Sequence, residues 1–545
     1  MILNTDHKMK KNKLISTMLF VSIQIISFIL FTSFIIDKQN PNENYTGLPV
    51  FDSKNIDGNN INAWFKNNGS FNRNPVTNNS GFEWPNGSNK VLRYYSGLWI
   101  AGKTGTDTAE AVSDYYANEF APGYIDENGI PQGMDDPDFR VYKIVKGDTT
   151  SKDYLNWPVS QGAYLDSNSK PFLPGIQTLF YSFDDGNTEI HHYTPVPLKA
   201  QVQVTSWCYN SVSDPVISNT VFTEFKIINK NTLPWNNAVI SVWSDECSSD
   251  QIAVGCDTNL NLGYAYCSPD SWQYGNNPPA FGFLLLQGPV EYTGNSSDTV
   301  FTYIPGNSNR RIRTGYKGIG LSTFNMFQNA SSYYKEPSNY KEIYSTMQGL
   351  FFNDSAWINP FNSQITKFPF SGDPESGTGW YQSATMSFGN RRLLMNFGML
   401  DIDPGDTQSV IVAQIVSQGI NNLNSVTKLK QNSVYIKNVF KNNFTTVSVN
   451  ESNNITLPVN FKLYQNYPNP FNPVTKIRYS LSKAGHVSLK VFDISGKEVI
   501  TLVSGRQDAG EKEVTFEGTG LSSGIYFYRL TVDDRSVVKK MILQK

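Results

Sequence analysis

The chain has 545 residues, a formal net charge of -2 and only 17% charged side chains. That balance lacks the basic footprint that nucleic-acid binding needs, which excludes that class, and the length allows roughly two to four domains. Aromatic side chains at 13%, with 40 Gly and 28 Pro, predict a mainly β, extracellular protein built from short strands and tight turns.

The N-terminus reads as an export signal over residues 1–36. Lys8, Lys10, Lys11 and Lys13 precede an apolar run from Leu14 to Ile36, a positive segment followed by a hydrophobic one. Met9 offers a second start. The run is long enough to span a bilayer, so an uncleaved anchor is the rival reading. No Cys follows the run, which excludes a lipoprotein site.

Residues 45–445 form the bulk of the chain, a β-sandwich-rich region with room for two subdomains. Ala200, Val202 and Val204 alternate with polar residues, as do Val221, Thr223, Phe225 and Ile227. Ala238 to Trp243 and Val410 to Val416 are apolar on both faces, as in a sandwich interior. Asp403-Pro404-Gly405-Asp406 predicts a turn into the last of these strands. A helix is expected from Ser425 to Phe444, capped by Ser425, with Val426, Leu429, Ile436 and Phe440 as its apolar stripe.

Chemistry is sparse in this region. There is no H-E-x-x-H, G-x-S-x-G or phosphate-binding Gly-Lys-Ser/Thr motif. His191-His192 is the one histidine cluster, and neighbours in a strand face opposite ways, so a surface pair is expected. The acid pairs Asp135-Asp136, Asp184-Asp185 and Asp245-Glu246 read as solvated turn residues. Trp84, Trp272 and Trp380 sit in Gly/Pro/Asn-rich segments and are the candidates for stacking on a sugar. Cys208, Cys247, Cys256 and Cys267 are even in number, with three pairings open or none. Asp245, Asp250 and Asp257 are a candidate calcium set, the only cofactor expected, if the loop folds back, which a Cys247–Cys256 disulfide would help. The function expected is a binding or structural β-protein, glycan-directed, with a secreted hydrolase such as a glycosidase as the alternative.

Residues 446–460 are polar and Asn-rich, a linker. The segment 461–545 is a separate module with 13 basic and 9 acidic side chains when counted from residue 451. Tyr467-Pro468-Asn469-Pro470-Phe471-Asn472-Pro473 forbids helix. Ile477, Tyr479 and Leu481, then Val487, Leu489 and Val491, alternate with polar residues, and Ser495-Gly496 marks a turn. Six or seven short strands make a small antiparallel sandwich.

The ordered set Tyr467-Pro-Asn-Pro-Phe-Asn-Pro, Val491-Phe-Asp-Ile-Ser-Gly-Lys, Leu521-Ser-Ser-Gly-Ile-Tyr and Lys539-Lys540-Met541-Ile542-Leu543 resembles the type A C-terminal sorting domain of type IX secretion. It is also similar to the immunoglobulin-like domain of the flagellar hook-cap family. The resemblance implies export across the inner membrane and then translocation across the outer membrane by the type IX machinery. Release or attachment to surface lipopolysaccharide would follow. It makes Tyr467, Pro468, Asn469, Pro470, Gly496, Gly524, Tyr526, Lys539 and Lys540 the sorting residues. Within the cargo, Gly81-Phe-Glu-Trp-Pro, Ser96-Gly-Leu-Trp-Ile-Ala-Gly, Val254-Gly-Cys-Asp-Thr, Asn261-Leu-Gly-Tyr, Ser371-Gly-Asp-Pro-Glu-Ser-Gly-Thr-Gly-Trp and Pro404-Gly-Asp-Thr-Gln resemble an uncharacterised family of secreted proteins with the same tail, which implies no activity.

Overall fold

The computed structural model describes residues 48–114, 116–193, 196–246, 251–307, 310–328, 331–444, 462–481, 485–494, 496–508, 510–532 and 535–545. The export signal 1–36 and the linker 446–460 lie outside them. The chain divides into two compact units, residues 1–437 and 438–545. Among the described residues, no helix is long and apolar enough to cross a membrane.

The larger unit is mainly β, built on two antiparallel sheets. The first runs in the order Thr323–Gln328, Arg391–Ile402, Trp235–Asp245, Tyr95–Thr104, Ser70–Phe71, Asn62–Lys66, Phe82–Glu83 and Val91–Arg93. The second runs Tyr142–Val145, Gln177–Asp184, Ala200–Cys208, Thr220–Asn229, Thr407–Ser417, Ala280–Gln287, Leu262–Cys267 and Ile252–Asp257. Their facing sides make one core. Leu98, Ile100, Ile240, Val242 and Phe397 come from the first sheet, and Val202, Val204, Phe225, Ile227 and Val412 from the second. Period-two alternation places these residues inward, and each large side chain so buried contributes about 1.5–3 kcal/mol.

The strands that are apolar on both faces have a second cover. Trp99, Val239, Trp243 and Leu394 point away from the sandwich core and pack with Ile343 and Met347 of the helix Tyr340–Met347. Trp99 and Trp243 stack with ring centroids 6.1 Å apart. The turn Asp403–Asp406 closes as expected, Asp406 N–H donating to the Asp403 carbonyl at 3.0 Å. Its Gly405 takes φ +81°, a left-handed conformation that suits glycine. It joins Arg391–Ile402 of the first sheet to Thr407–Ser417 of the second, so this turn is a corner of the sandwich.

The expected helix is present but shifted, spanning Asn422–Lys441. Asn421 does the capping, its Oδ1 accepting from Asn424 N–H at 2.8 Å. Ser425 lies inside the first turn, and its hydroxyl is directed to the Pro278 carbonyl at 2.7 Å.

The smaller unit is a sandwich of seven described strands. One sheet orders Lys462–Leu463, Val474–Leu481 and Gly510–Glu517; the other orders Glu498–Gln507, Gly485–Phe492, Gly524–Val532 and Arg535–Leu543. Ile477, Tyr479 and Leu481 face Val487, Leu489, Val491, Tyr528 and Leu530 in one core, as the alternation predicts.

Candidate functional site

Two polar concavities of the larger unit lie on either side of Tyr116. Tyr116 sits in the loop after Asp107–Val112, and Asp114 shapes that loop. Its Oδ1 accepts from the backbone N–H groups of Tyr116 and Ala117, each at 2.7 Å, a side-chain-closed turn of the Asx type. Tyr116 is thereby left 52% exposed. Its hydroxyl accepts from Arg392 Nη2 at 3.2 Å.

Strand pairing supplies that arginine. Arg392 lies opposite Asp245 in the register of the first sheet, and Asp245 Oδ2 is 3.1 Å from Arg392 Nη2. Glu336 Oε1 lies 3.2 Å from Arg392 Nε. One buried guanidinium therefore orients a tyrosine and two carboxylates.

A depression of about 370 Å³ on one side of Tyr116 includes Lys66, Arg73, Tyr95, Asp114 and Asn118 in its lining. A second, of about 440 Å³, includes His192, Tyr193, Gln328, Lys335 and Glu336. Burial pushes Asp114 up to about 7, against the pull of its two backbone donors. Burial also pushes Glu336 up to about 7, with Arg392 opposing. Burial with nearby carboxylates raises Tyr116 to about 12. Each depression thus has one carboxyl group able to give or take a proton near neutrality, the property general acid–base work needs.

The wall behind His192 is fixed from within. Glu119 Oε1 accepts from the backbone N–H groups of His192 and Tyr193 at 2.7 and 2.8 Å. Glu110 lies against Glu119; desolvation and that neighbour hold it well above the usual carboxylate range. The histidine pair is not the expected surface pair. His192 is exposed, whereas the His191 ring is buried and its Nε2 lies 2.7 Å from the Asp185 carbonyl. Asp184 and Asp185 are also buried rather than solvated, Asp185 because it accepts the N–H groups of Leu198 and Ala200.

The three stacking candidates do not share an environment. Trp272 is 70% exposed, but Trp84 and Trp380 are 7% exposed each. Trp84 Nε1 donates to Asn219 Oδ1 at 2.8 Å, and Trp380 packs on Phe370 and donates to Thr385 Oγ1 at 3.1 Å. Their loops fold back over the sandwich, which removes both rings from any sugar-facing platform.

Two of the three calcium candidates face protein cations. Asp245 pairs with Arg392, and Asp257 Oδ2 lies 3.6 Å from Lys430 Nζ. Asp250 and Cys247 lie outside the described residues. Among the described residues no group of three or more His, Cys, Asp or Glu is placed to hold a metal ion. Of the expected Cys247–Cys256 pair, only Cys256 is described. Cys256 is a buried thiol 3.6 Å from the Pro369 carbonyl, and burial raises its pKa and that of Cys208.

In the tail, Tyr467 is 80% exposed, and the bonds before Pro468 and Pro470 are cis. Asn469 Oδ1 accepts from Ile542 N–H at 2.8 Å, which ties the proline segment to the last strand. Gly496 takes φ +82° in the turn Asp493–Lys497, and Gly524 opens the strand in which Tyr526 is buried, its hydroxyl donating to the Ser522 carbonyl at 2.8 Å. Lys539 and Lys540 lie on the edge strand Arg535–Leu543, Lys540 exposed and Lys539 half-buried.

Sequence reasoning missed Tyr116, Glu336 and Arg392. They are singletons in unremarkable segments, and strand pairing brings them together.

No curated protein matches the chain. Among solved structures it is similar to a polysaccharide lyase, at 7% identity over 92% of this chain and 47% of that one, with a TM-score of 0.25. It is also similar to a β-1,2-glucanase from Parabacteroides distasonis, at 8% identity over 64% and 37% with a TM-score of 0.13. A third is dimeric latent PorU from Porphyromonas gingivalis, at 8% over 91% and 34% with a TM-score of 0.14. The chain spans less than half the length of each, and superpositions this loose establish no common fold. Residues 465–544, in contrast, match the family described as the secretion system C-terminal sorting domain. The chain is therefore a type IX secretion cargo that carries this system's sorting domain as its tail, and it is exported to the cell surface or secreted.

Proposed function

We propose that the larger unit is a glycan-binding protein whose ligand lies across Tyr116. The observation that carries this is the half-exposed Tyr116 ring with its hydroxyl fixed by buried Arg392 between two polar depressions. An aromatic face held rigidly among hydrogen-bonding groups suits a sugar, whose faces are apolar and whose rim is hydroxylated. Residues 1–36 act as the export signal, the type IX machinery reads the tail, and the cargo then stays on surface lipopolysaccharide or is released.

The test is a glycan array with the purified cargo, followed by titration calorimetry on the best hit. Tyr116→Ala should weaken binding about tenfold or more while leaving the thermal midpoint within a few degrees. An array without hits, or a Tyr116→Ala protein with full affinity, rejects the reading.

A glycosidase is the second reading, favoured by Asp114 and Glu336 both lying near 7. It requires turnover of the bound glycan that is lost in both Asp114→Asn and Glu336→Gln.

A further inference from the structure

A third pocket opens on the far side of the other sheet. On the strand Thr220–Asn229, Val221, Phe225 and Ile227 join the sandwich core, so Glu224 and Lys226 face outward. Residues from the hairpin Thr299–Thr302 with Arg311–Thr314 cover this face. They leave a pocket of about 230 Å³, lined in part by Tyr164, Glu224, Lys226, Arg311, Arg313 and Ser409.

The charge in this pocket is unbalanced. Lys226, Arg311 and Arg313 make no ion pair with any acid among the described residues. Glu224, the one acid in the lining, is 2% exposed. Its Oε1 accepts from Ser409 Oγ at 2.6 Å. Its Oε2 is buried without a well-formed hydrogen bond, with the Tyr164 hydroxyl beside it. Burial raises Glu224 to about 7, so near neutrality it supplies a donor as often as a charge. Three cations around a half-neutral acid favour an anion, and the hydroxyl and amide groups of Ser409, Thr302, Thr407 and Gln287 favour a hydroxylated one.

We propose that this pocket binds a small carboxylate-bearing sugar, with Lys226 and Arg313 on its carboxylate and Glu224 on a ring hydroxyl. The site lies on other residues than the Tyr116 cleft and stands without it.

The experiment titrates the full chain with D-glucuronate, D-glucose and inorganic sulfate by calorimetry. Glucuronate should bind saturably with one site and at least about tenfold more tightly than glucose, as expected when charge-assisted hydrogen bonds carry the affinity. Lys226→Ala and Arg313→Ala should each weaken glucuronate about tenfold, and Tyr116→Ala should leave it unchanged. Exposed Arg311→Ala gives a third variant should Lys226→Ala fold poorly. Absence of glucuronate binding, equal affinity for glucose, sulfate binding as tightly as glucuronate, or indifference to all three cation variants overturns the proposal.

Discussion

Arg93 and Glu246 lie 2.9 Å apart, with neither side chain exposed to solvent. The pair sits between the two sheets of the larger unit. Arg93 Nη1 also donates to Gln414 Oε1 of the second sheet at 3.2 Å, and its guanidinium lies 4.1 Å from the Phe283 ring centroid. Two ions in an apolar sandwich are costly to desolvate, so the pair gains little over an apolar filling but is expensive to break.

Glu246→Ala should therefore destabilise the larger unit by about 3–5 kcal/mol by stranding the Arg93 charge. Arg93→Met with Glu246→Leu should cost less than either single change to alanine. Denaturant unfolding of the four proteins measures this, and additive costs would show that the two charges act independently.

Stability should fall between about pH 5 and pH 8. Glu110, Asp114, Glu224 and Glu336 all have folded pKa values above their ordinary ones, chiefly through burial. The fold thus binds more protons than the unfolded chain between about pH 4 and 7. Their contribution is full below the unfolded pKa and is lost as pH rises through the folded one. Against burial, Asp57 is shifted down by hydrogen bonds from Lys143 and Gln177, Asp153 by those from Lys54, the Lys143 N–H and Arg140, and Asp373 by those from the Ser376 N–H and Lys430. Their contribution is present above their unfolded pKa and is lost at lower pH. The thermal midpoint should peak near pH 5, and Glu110→Gln should shrink the drop from pH 5 to pH 8. A midpoint that rises across that range contradicts the assignment.

Tyr528→Phe should weaken the sorting domain. The buried Tyr528 hydroxyl donates to the Tyr464 carbonyl at 2.8 Å and accepts from Asn466 N–H at 2.9 Å. Its removal deletes two buried hydrogen bonds, a loss of about 1–3 kcal/mol. Surface delivery should fall with it, and deletion of residues 461–545 should hold the cargo inside the outer membrane. Normal surface labelling of the deletion would contradict the role of the tail.

Calcium at millimolar concentration should leave the thermal midpoint of the cargo unchanged, because Asp245 and Asp257 already face Arg392 and Lys430. A chelator-reversible rise in the midpoint, expected of any ion bound to the fold alone, would show a site built from other residues.

The strands were legible because alternation records which side of a sheet a residue faces. Ile477, Tyr479 and Leu481 became core as the pattern required. The corner at Asp403–Asp406 was legible because Pro and Gly specify its backbone. The Tyr116 cleft was not, because Arg392 reaches Tyr116 only through a strand register fixed by pairing far along the chain. The tryptophans misled for a related reason. Gly, Pro and Asn around Trp84 and Trp380 report a turning backbone, whereas exposure depends on what the turn folds back upon.

The tryptophans also make the two units optically distinct. All ten precede residue 438 and none lies in the sorting domain. Indole emission therefore follows the unfolding of the cargo and is blind to the tail, whose melting is left to tyrosine signals and to far-ultraviolet dichroism. Trp272 is the one strongly exposed indole, so a water-soluble quencher should dim its emission first. Loss of that easily quenched fraction in Trp272→Phe would give a spectroscopic baseline against which opening of the sandwich interior can be timed.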